Sequence, residues 1–296
     1  MPTVAVMTAT TSRIALVTGA TQGLGLALVQ GLAERLGPAD LVLLTSRDPD
    51  RVGQTAAQTA TRAGSTAAVQ GRALDVTDAD AVARLAREIE AEYGGVDLVF
   101  SNATARLSPD VDPAEQVDLQ LDTSNVATSR LLRSVLPLVR SGGTFLVVSS
   151  ALGTLEQLPE RIRPRFAEAT TLAEVDAVVE EYRGEVHAGT AEKNGWPHWL
   201  NIPSKVGQVA AVRAVARDRR ERDLRQGTLL ASVCPGLIDT GASRPWFEDM
   251  STAQTPEQAA VAVLDFALSR PLDPGMYGEL VQFGKVLPWT GADRLS

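Results

Sequence analysis

The sequence predicts an α/β protein, a doubly wound parallel sheet of about seven strands with helices on both faces, and three observations carry that expectation. Short apolar runs alternate with longer helical patterns from Arg13 almost to the end of the chain. A glycine-rich turn, TGATQGLG, follows the first such run and opens into a helical pattern. The 296 residues, 44% of them hydrophobic, suffice for one core of ordinary domain size.

The expected strands run from Ile14 to Thr18, Leu41 to Thr45, Ala67 to Leu74, Val96 to Ser101, Thr144 to Ser149, Leu229 to Cys234 and Leu280 to Phe283. Between them lie helical spacings: Leu24, Leu28 and Leu32; Val82, Leu85 and Ile89; Leu131, Leu132, Val135, Leu136 and Val139. Unbroken β-α-β alternation requires a parallel sheet covered on both faces. Thr77-x-x-Asp80, Thr171-x-x-Glu174 and Thr255-Pro256-x-Gln258 have the form of helix caps and predict helices near 77–93, 171–183 and 256–268. Residues 151–200 break the rhythm. They are charged, carry Pro159 and Pro164, and place Val175, Val178, Val179 and Tyr182 on one helical face, so a helical insert is expected there.

Composition narrows the function. With 28 basic and 36 acidic side chains the net charge is −8, which argues against a nucleic-acid partner. The one cysteine, Cys234, excludes an internal disulfide framework and fits a cytoplasmic protein. No apolar run approaches the roughly 20 residues that span a bilayer. Residues 1–12 read as a loose tail without the features of a signal peptide, leaving 13–296 as a single domain. Only 3 lysines (Lys193, Lys205, Lys285) and 3 tyrosines (Tyr93, Tyr182, Tyr277) are present.

In TGATQGLG the glycines, Gly19, Gly23 and Gly25, let the backbone approach a pyrophosphate, and the helix start that follows offers free N–H groups. A tight strand-to-helix connection is the plainer reading of the same turn. After the second strand, LLTSRDPD places Ser46 and Arg47 where a guanidinium would pair with a 2′-phosphate, which favours NADP(H) over NAD(H). A solvated loop arginine is the alternative, and Asp48 stands beside it.

These residues resemble the short-chain dehydrogenase/reductase superfamily, and within it the monomeric carbonyl reductases. TGATQGLG is similar to its coenzyme turn, LDVTD (Leu74 to Asp78) to its adenine-contacting segment and SNATA (Ser101 to Ala105) to its NNAG segment. Asn125 falls at the helix asparagine, VVSS ends on the catalytic serine position at Ser150, and CPGLIDT (Cys234 to Thr240) resembles the segment beside the nicotinamide. EKNGWP (Glu192 to Pro197) resembles the approach to the active-site helix. The resemblance covers Arg13 to about Phe283 and implies a Rossmann-like domain, NADP(H) and a small-molecule ketone substrate. It implies cofactor contacts from Gly19, Thr21, Gln22, Gly23, Leu24, Gly25, Arg47, Asp75, Val76, Asn102, Ala103, Lys205, Pro235, Gly236, Ile238 and Thr240. The inserted segment implies a monomer.

One departure matters. The family's Tyr-x-x-x-Lys stands here as NIPSK, Asn201 to Lys205, so the lysine is present and the tyrosine is not. Ser150, Lys205, Asn125 and Asn201 are then the expected catalytic set. An amide donates a hydrogen bond but no proton, and losing a positioned acid typically costs about 10²- to 10⁴-fold. The proton could come from His198, from a water held by Lys205 and Asn125, or from a phenol beside the ketone of an aromatic polyketide-like substrate, as in antibiotic biosynthesis. Pro203 allows two readings: a helix that starts at Pro203 with Asn201 in its cap and turned from the substrate, or one that starts before Asn201 and leaves its amide in the site. Trp196, Trp199, Trp246, Phe247 and Trp289 are candidate substrate walls, though ordinary packing would also use them. Competing expectations are a non-redox lyase, isomerase or cyclase on the same scaffold, and a non-catalytic dinucleotide-binding protein.

Overall fold

A computed structural model describes residues 12–290, so all of the expected tail but Ser12 lies outside the described residues. Eight strands form one sheet: β1 (Ile14–Val17), β2 (Leu41–Ser46), β3 (Ala68–Ala73), β4 (Val96–Ser101), β5 (Val139–Val148), β6 (Leu229–Val233), β7 (Leu280–Gln282) and β8 (Lys285–Leu287). Their order is β3-β2-β1-β4-β5-β6-β7-β8. The first seven pair in parallel and β8 returns antiparallel to β7. The eighth strand corrects the expected count. Phe283 and Gly284, both in the left-handed region, form a two-residue hairpin, so Phe283 turns rather than extending β7.

Among the described residues ten α-helices accompany the sheet: α1 (Gly23–Arg35), α2 (Pro49–Ala60), α3 (Ala79–Tyr93), α4 (Pro113–Leu121), α5 (Ala127–Ser134), α6 (Arg163–Ala167), α7 (Leu172–His187), α8 (Ala191–Asn194), α9 (Asn201–Arg225) and α10 (Pro256–Leu268). Alternate strand residues feed two cores. Ala15, Val17, Leu98, Phe100 and Leu146 face α1 and α10, whereas Ile14, Leu16, Val99, Phe145 and Val147 join the core of α3, α5, α7 and α9. That two-sided burial is why the strands read as continuous apolar runs.

Helix starts follow the expected chemistry with one correction and one alternative decided. Thr171 with Glu174, and Thr255 with Gln258, form complete capping boxes for α7 and α10. At α3 the cap is Asp78, which accepts from the backbone of Asp80 and Ala81, while Thr77 bonds Asp75. Helix α9 begins at Asn201, not at Pro203. Proline is tolerated because its missing N–H falls within the first turn, where no intrahelical acceptor exists.

The insert supplies α6, α7 and α8. Tyr182 and Trp196 pack with ring centroids 4.7 Å apart, and Phe166 meets Trp196 edge-on at 6.2 Å. Trp196 is therefore core rather than substrate wall. Trp289 lies under the Arg213 guanidinium and is likewise packed away. The buried tyrosines differ in their hydroxyls: Tyr277 Oη donates to the wholly buried Asp223 at 2.7 Å, and Tyr182 Oη has no partner among the described residues. Tyr277→Phe should cost about 1–3 kcal/mol in chemical denaturation, whereas Tyr182→Phe should be neutral or stabilising. Equal losses would contradict this assignment.

Candidate active site

Every parallel strand ends on the same edge of the sheet, and the strand order reverses between β1 and β4. A crevice forms at such a switch point. Its floor is tied by Asn102, whose Nδ2 donates to the carbonyls of Thr18 at 2.9 Å and Gly19 at 3.2 Å. Thr18 Oγ1 returns the contact by accepting from the backbone N–H groups of Asn102 and Ala103. A Cβ on Gly25 would fall 2.4 Å from the Gly19 carbonyl oxygen and 2.5 Å from Asn102 Nδ2, so only glycine closes this turn. Gln22, the residue before α1, is extended and makes no side-chain cap, leaving the first N–H groups of the helix to an anion. Gly23 lies opposite Thr240, whose loop reaches over the same turn, while Leu24 is buried in the core. This cradle fits a dinucleotide pyrophosphate.

At the far end of the crevice Thr21 donates to Ser46 at 3.3 Å, and Arg47 is exposed just beyond β2. Asp48 is committed elsewhere: its carboxylate caps α2 by accepting from the backbone of Asp50 and Arg51. The carboxylate that would repel a 2′-phosphate is thus turned into the helix start. Arg51, one turn after Arg47, reaches Gln22 Oε1 at 3.3 Å, so a second guanidinium stands beside the turn. Its i+4 spacing from Arg47 was the signal available in the sequence. Asp75 holds Thr77 through its carboxylate, and Val76 is buried at the end of β3.

At the other end stand Ser150 and Lys205. Ser150 Oγ accepts from the Leu152 N–H at 3.2 Å, which leaves the hydroxyl proton free to donate outward. Lys205 Nζ donates to Gln208 Oε1 at 2.8 Å and to the Val148 carbonyl at 3.4 Å, anchoring α9 to the end of β5. Lys205 as a residue is only half-buried, yet the protein packed around its ammonium pushes its pKa down to about 8. Pro235 and Gly236 follow Cys234, whose thiol burial pushes up, and Ile238 pairs with Gln254 to fix the loop carrying Thr240.

The remaining catalytic candidates are distributed differently from expectation. Asn125 sits in a five-residue π turn, Asp122–Val126, and both ends of its amide are engaged by Ser204. Its side-chain amide thereby ties α9 to the turn. The neighbouring Ser124 instead approaches Thr104 of the SNATA segment at 3.4 Å. Asn201 is half-buried, and its Oδ1 accepts from Gln120 Nε2 at 3.1 Å. Gln120, wholly buried on α4, also donates to Ser204 at 3.0 Å and was not marked by any motif. His198 is exposed and paired with Glu192. Trp199 stacks on Trp246 at 5.3 Å and meets Phe247 at 6.1 Å, joining the start of α9 to the loop after β6.

The lowered Lys205 pKa has a measurable consequence. An anionic dinucleotide stabilises the charged lysine and raises its pKa in the complex, so affinity is full below the free value of about 8 and declines above it. Dissociation constants should therefore rise with pH above that value, by up to about tenfold per unit, and Lys205→Met should abolish the slope. A flat profile in the unaltered protein would contradict it.

Comparison with known proteins agrees with this geometry. Residues 13–161 match the short chain dehydrogenase family. Carbonyl reductase (NADPH) 3 of Mus musculus is 31% identical over 289 residues, covering 94% of this chain and 99% of its own. Carbonyl reductase (NADPH) 1 of Rattus norvegicus is 29% identical over 283 residues, covering 93% and 98%. Among solved structures, menthone neomenthol reductase of Mentha piperita superposes with a TM-score of 0.74 at 21% identity, covering 93% of this chain and 100% of that one, a likeness of fold. From the glycine turn on β1 through the NADPH carbonyl reductases it matches along almost its whole length, the chain belongs to the short chain dehydrogenase family.

Proposed function

We propose that the protein is an NADPH-dependent ketone reductase that works without a tyrosine acid. The observation that carries this reading is that a Ser150 hydroxyl whose proton is free follows β5, while the Lys205 ammonium is held by the Val148 carbonyl at the end of the same strand. The curated relatives carry NADPH in their names and support the cofactor and the carbonyl substrate. Two arginines beside an uncapped glycine turn, with Asp48 withdrawn, support the phosphorylated form of the dinucleotide.

When bound, the reduced cofactor supplies the hydride. Ser150 donates to the carbonyl oxygen as charge gathers there, and Lys205 holds the ribose beside it. We assign the proton to the substrate: a phenol next to the ketone protonates the new alkoxide and is itself restored from water. The Trp199, Trp246 and Phe247 cluster supports a flat aromatic ligand of polyketide type. The α7 insert lies across α4 and α9, which supports a monomer.

Two measurements test the reading. With NADPH deuterated at both C4 positions, the label should appear on the carbinol carbon of an aromatic hydroxyketone product. Product formation with the label retained on the cofactor would instead indicate a lyase or isomerase, and binding without turnover a non-catalytic protein. Arg47→Ala should weaken NADPH about tenfold and leave NADH nearly unchanged. Equal effects on both would contradict the phosphate assignment.

A further inference from the structure

Amide nitrogen and oxygen are told apart by their partners, and here one backbone carbonyl fixes a whole series of them. The Ser204 carbonyl can only accept, so the Asn125 atom 2.9 Å from it is Nδ2. Asn125 Oδ1 then faces the Ser204 hydroxyl at 2.7 Å and takes its single proton. With that proton spent, Ser204 Oγ accepts from the next member, so the Gln120 atom at 3.0 Å is Nε2. The same Nε2 lies 3.1 Å from Asn201, whose facing atom must be Oδ1. Asn201 therefore turns Nδ2 away from the relay, where among the described residues it is neither partnered nor enclosed.

Gln120 keeps this orientation although it is wholly buried and its own Oε1 has no partner among the described residues. A side chain free to choose would turn its oxygen to a donor; the network dictates otherwise. Asn201 stands one helical turn before Lys205, so both belong to the same side of α9.

We propose that Gln120 is a positioning residue that holds Asn201 with its N–H₂ edge toward the reacting carbonyl. The site then offers a neutral hydrogen-bond donor at the place where the family carries its tyrosine hydroxyl. A reversed amide would set its lone pairs against the substrate oxygen. The assignment rests on the ketone reductase reading for its chemistry but on the hydrogen-bond relay alone for its geometry.

Two experiments separate these. In the unaltered protein, hydrogen exchange of side-chain amides by NMR should find the Gln120 N–H₂ protected and the Asn201 N–H₂ exchanging freely, with resonances assigned from Gln120→Met and Asn201→Ala. The reverse pattern overturns the relay whether or not any ketone is reduced. In kinetics, Gln120→Met should lower kcat about tenfold with little change in KM or NADPH affinity, and should add no further loss in the Asn201→Ala background. An equal loss in both backgrounds overturns the positioning role. Absence of ketone reduction by the unaltered protein overturns the functional reading, and the exchange pattern still decides the amide's direction.

Discussion

The bond from the Asn125 amide to the Ser204 carbonyl, buried where α9 crosses the π turn, is the contact on which the catalytic end of the molecule depends. Through it α9 is held at one height against α4 and α5, and Asn201 and Lys205 take their places from α9. The approach is close: a Cβ on Gly207 would fall 2.7 Å from Asn125 Nδ2 and 3.1 Å from Val179 of the insert. Gln208 adds a second tie by donating to the Ser124 carbonyl and to Thr128 while it accepts from Lys205. Buried polar contacts of this kind specify a geometry because each unmade bond would leave a dry polar group.

Loss of the tyrosine redistributes its work. The phenol of the family's signature both orients and protonates the substrate oxygen. In the proposed mechanism orientation falls to two neutral donors, the Ser150 hydroxyl and the Asn201 amide, and neither can give up a proton at ordinary pH. On that proposal the proton arrives with the substrate, which couples the missing residue to the chemistry of the ligand. The aromatic cluster of Trp199, Trp246 and Phe247 is consistent with the same class of ligand.

Much of the fold was legible because its strands are buried on both faces and its helices carry explicit caps. Thr171 and Thr255 each announce a capping box, and TGATQGLG announces the crevice. The failures have separate causes. β8 is three residues of mixed polarity whose pairing depends on a hairpin, and no periodicity betrays it. Pro203 has a local preference for opening a helix, overridden because the first turn needs no N–H from it. In the site, motif spacing singled out Ser150, Lys205 and Asn125 but not the buried partners around them. Asn125 lies in a π turn where it and the neighbouring Ser124 both bond α9, and sequence does not announce such a turn. Gln120 was missed because a glutamine on a helix reads as solvated surface until α7 and α9 are packed over it.

The central claim is that an amide donor stands in for a phenol in a working reductase site. The most direct measurement is an experimental structure of the ternary complex with NADP⁺ and an aromatic hydroxyketone. The account requires the ketone oxygen within hydrogen-bond distance of both Ser150 Oγ and Asn201 Nδ2, with the substrate's own phenol adjacent. An Asn201 side chain turned with Oδ1 toward the ketone, or lying out of its reach, would contradict it.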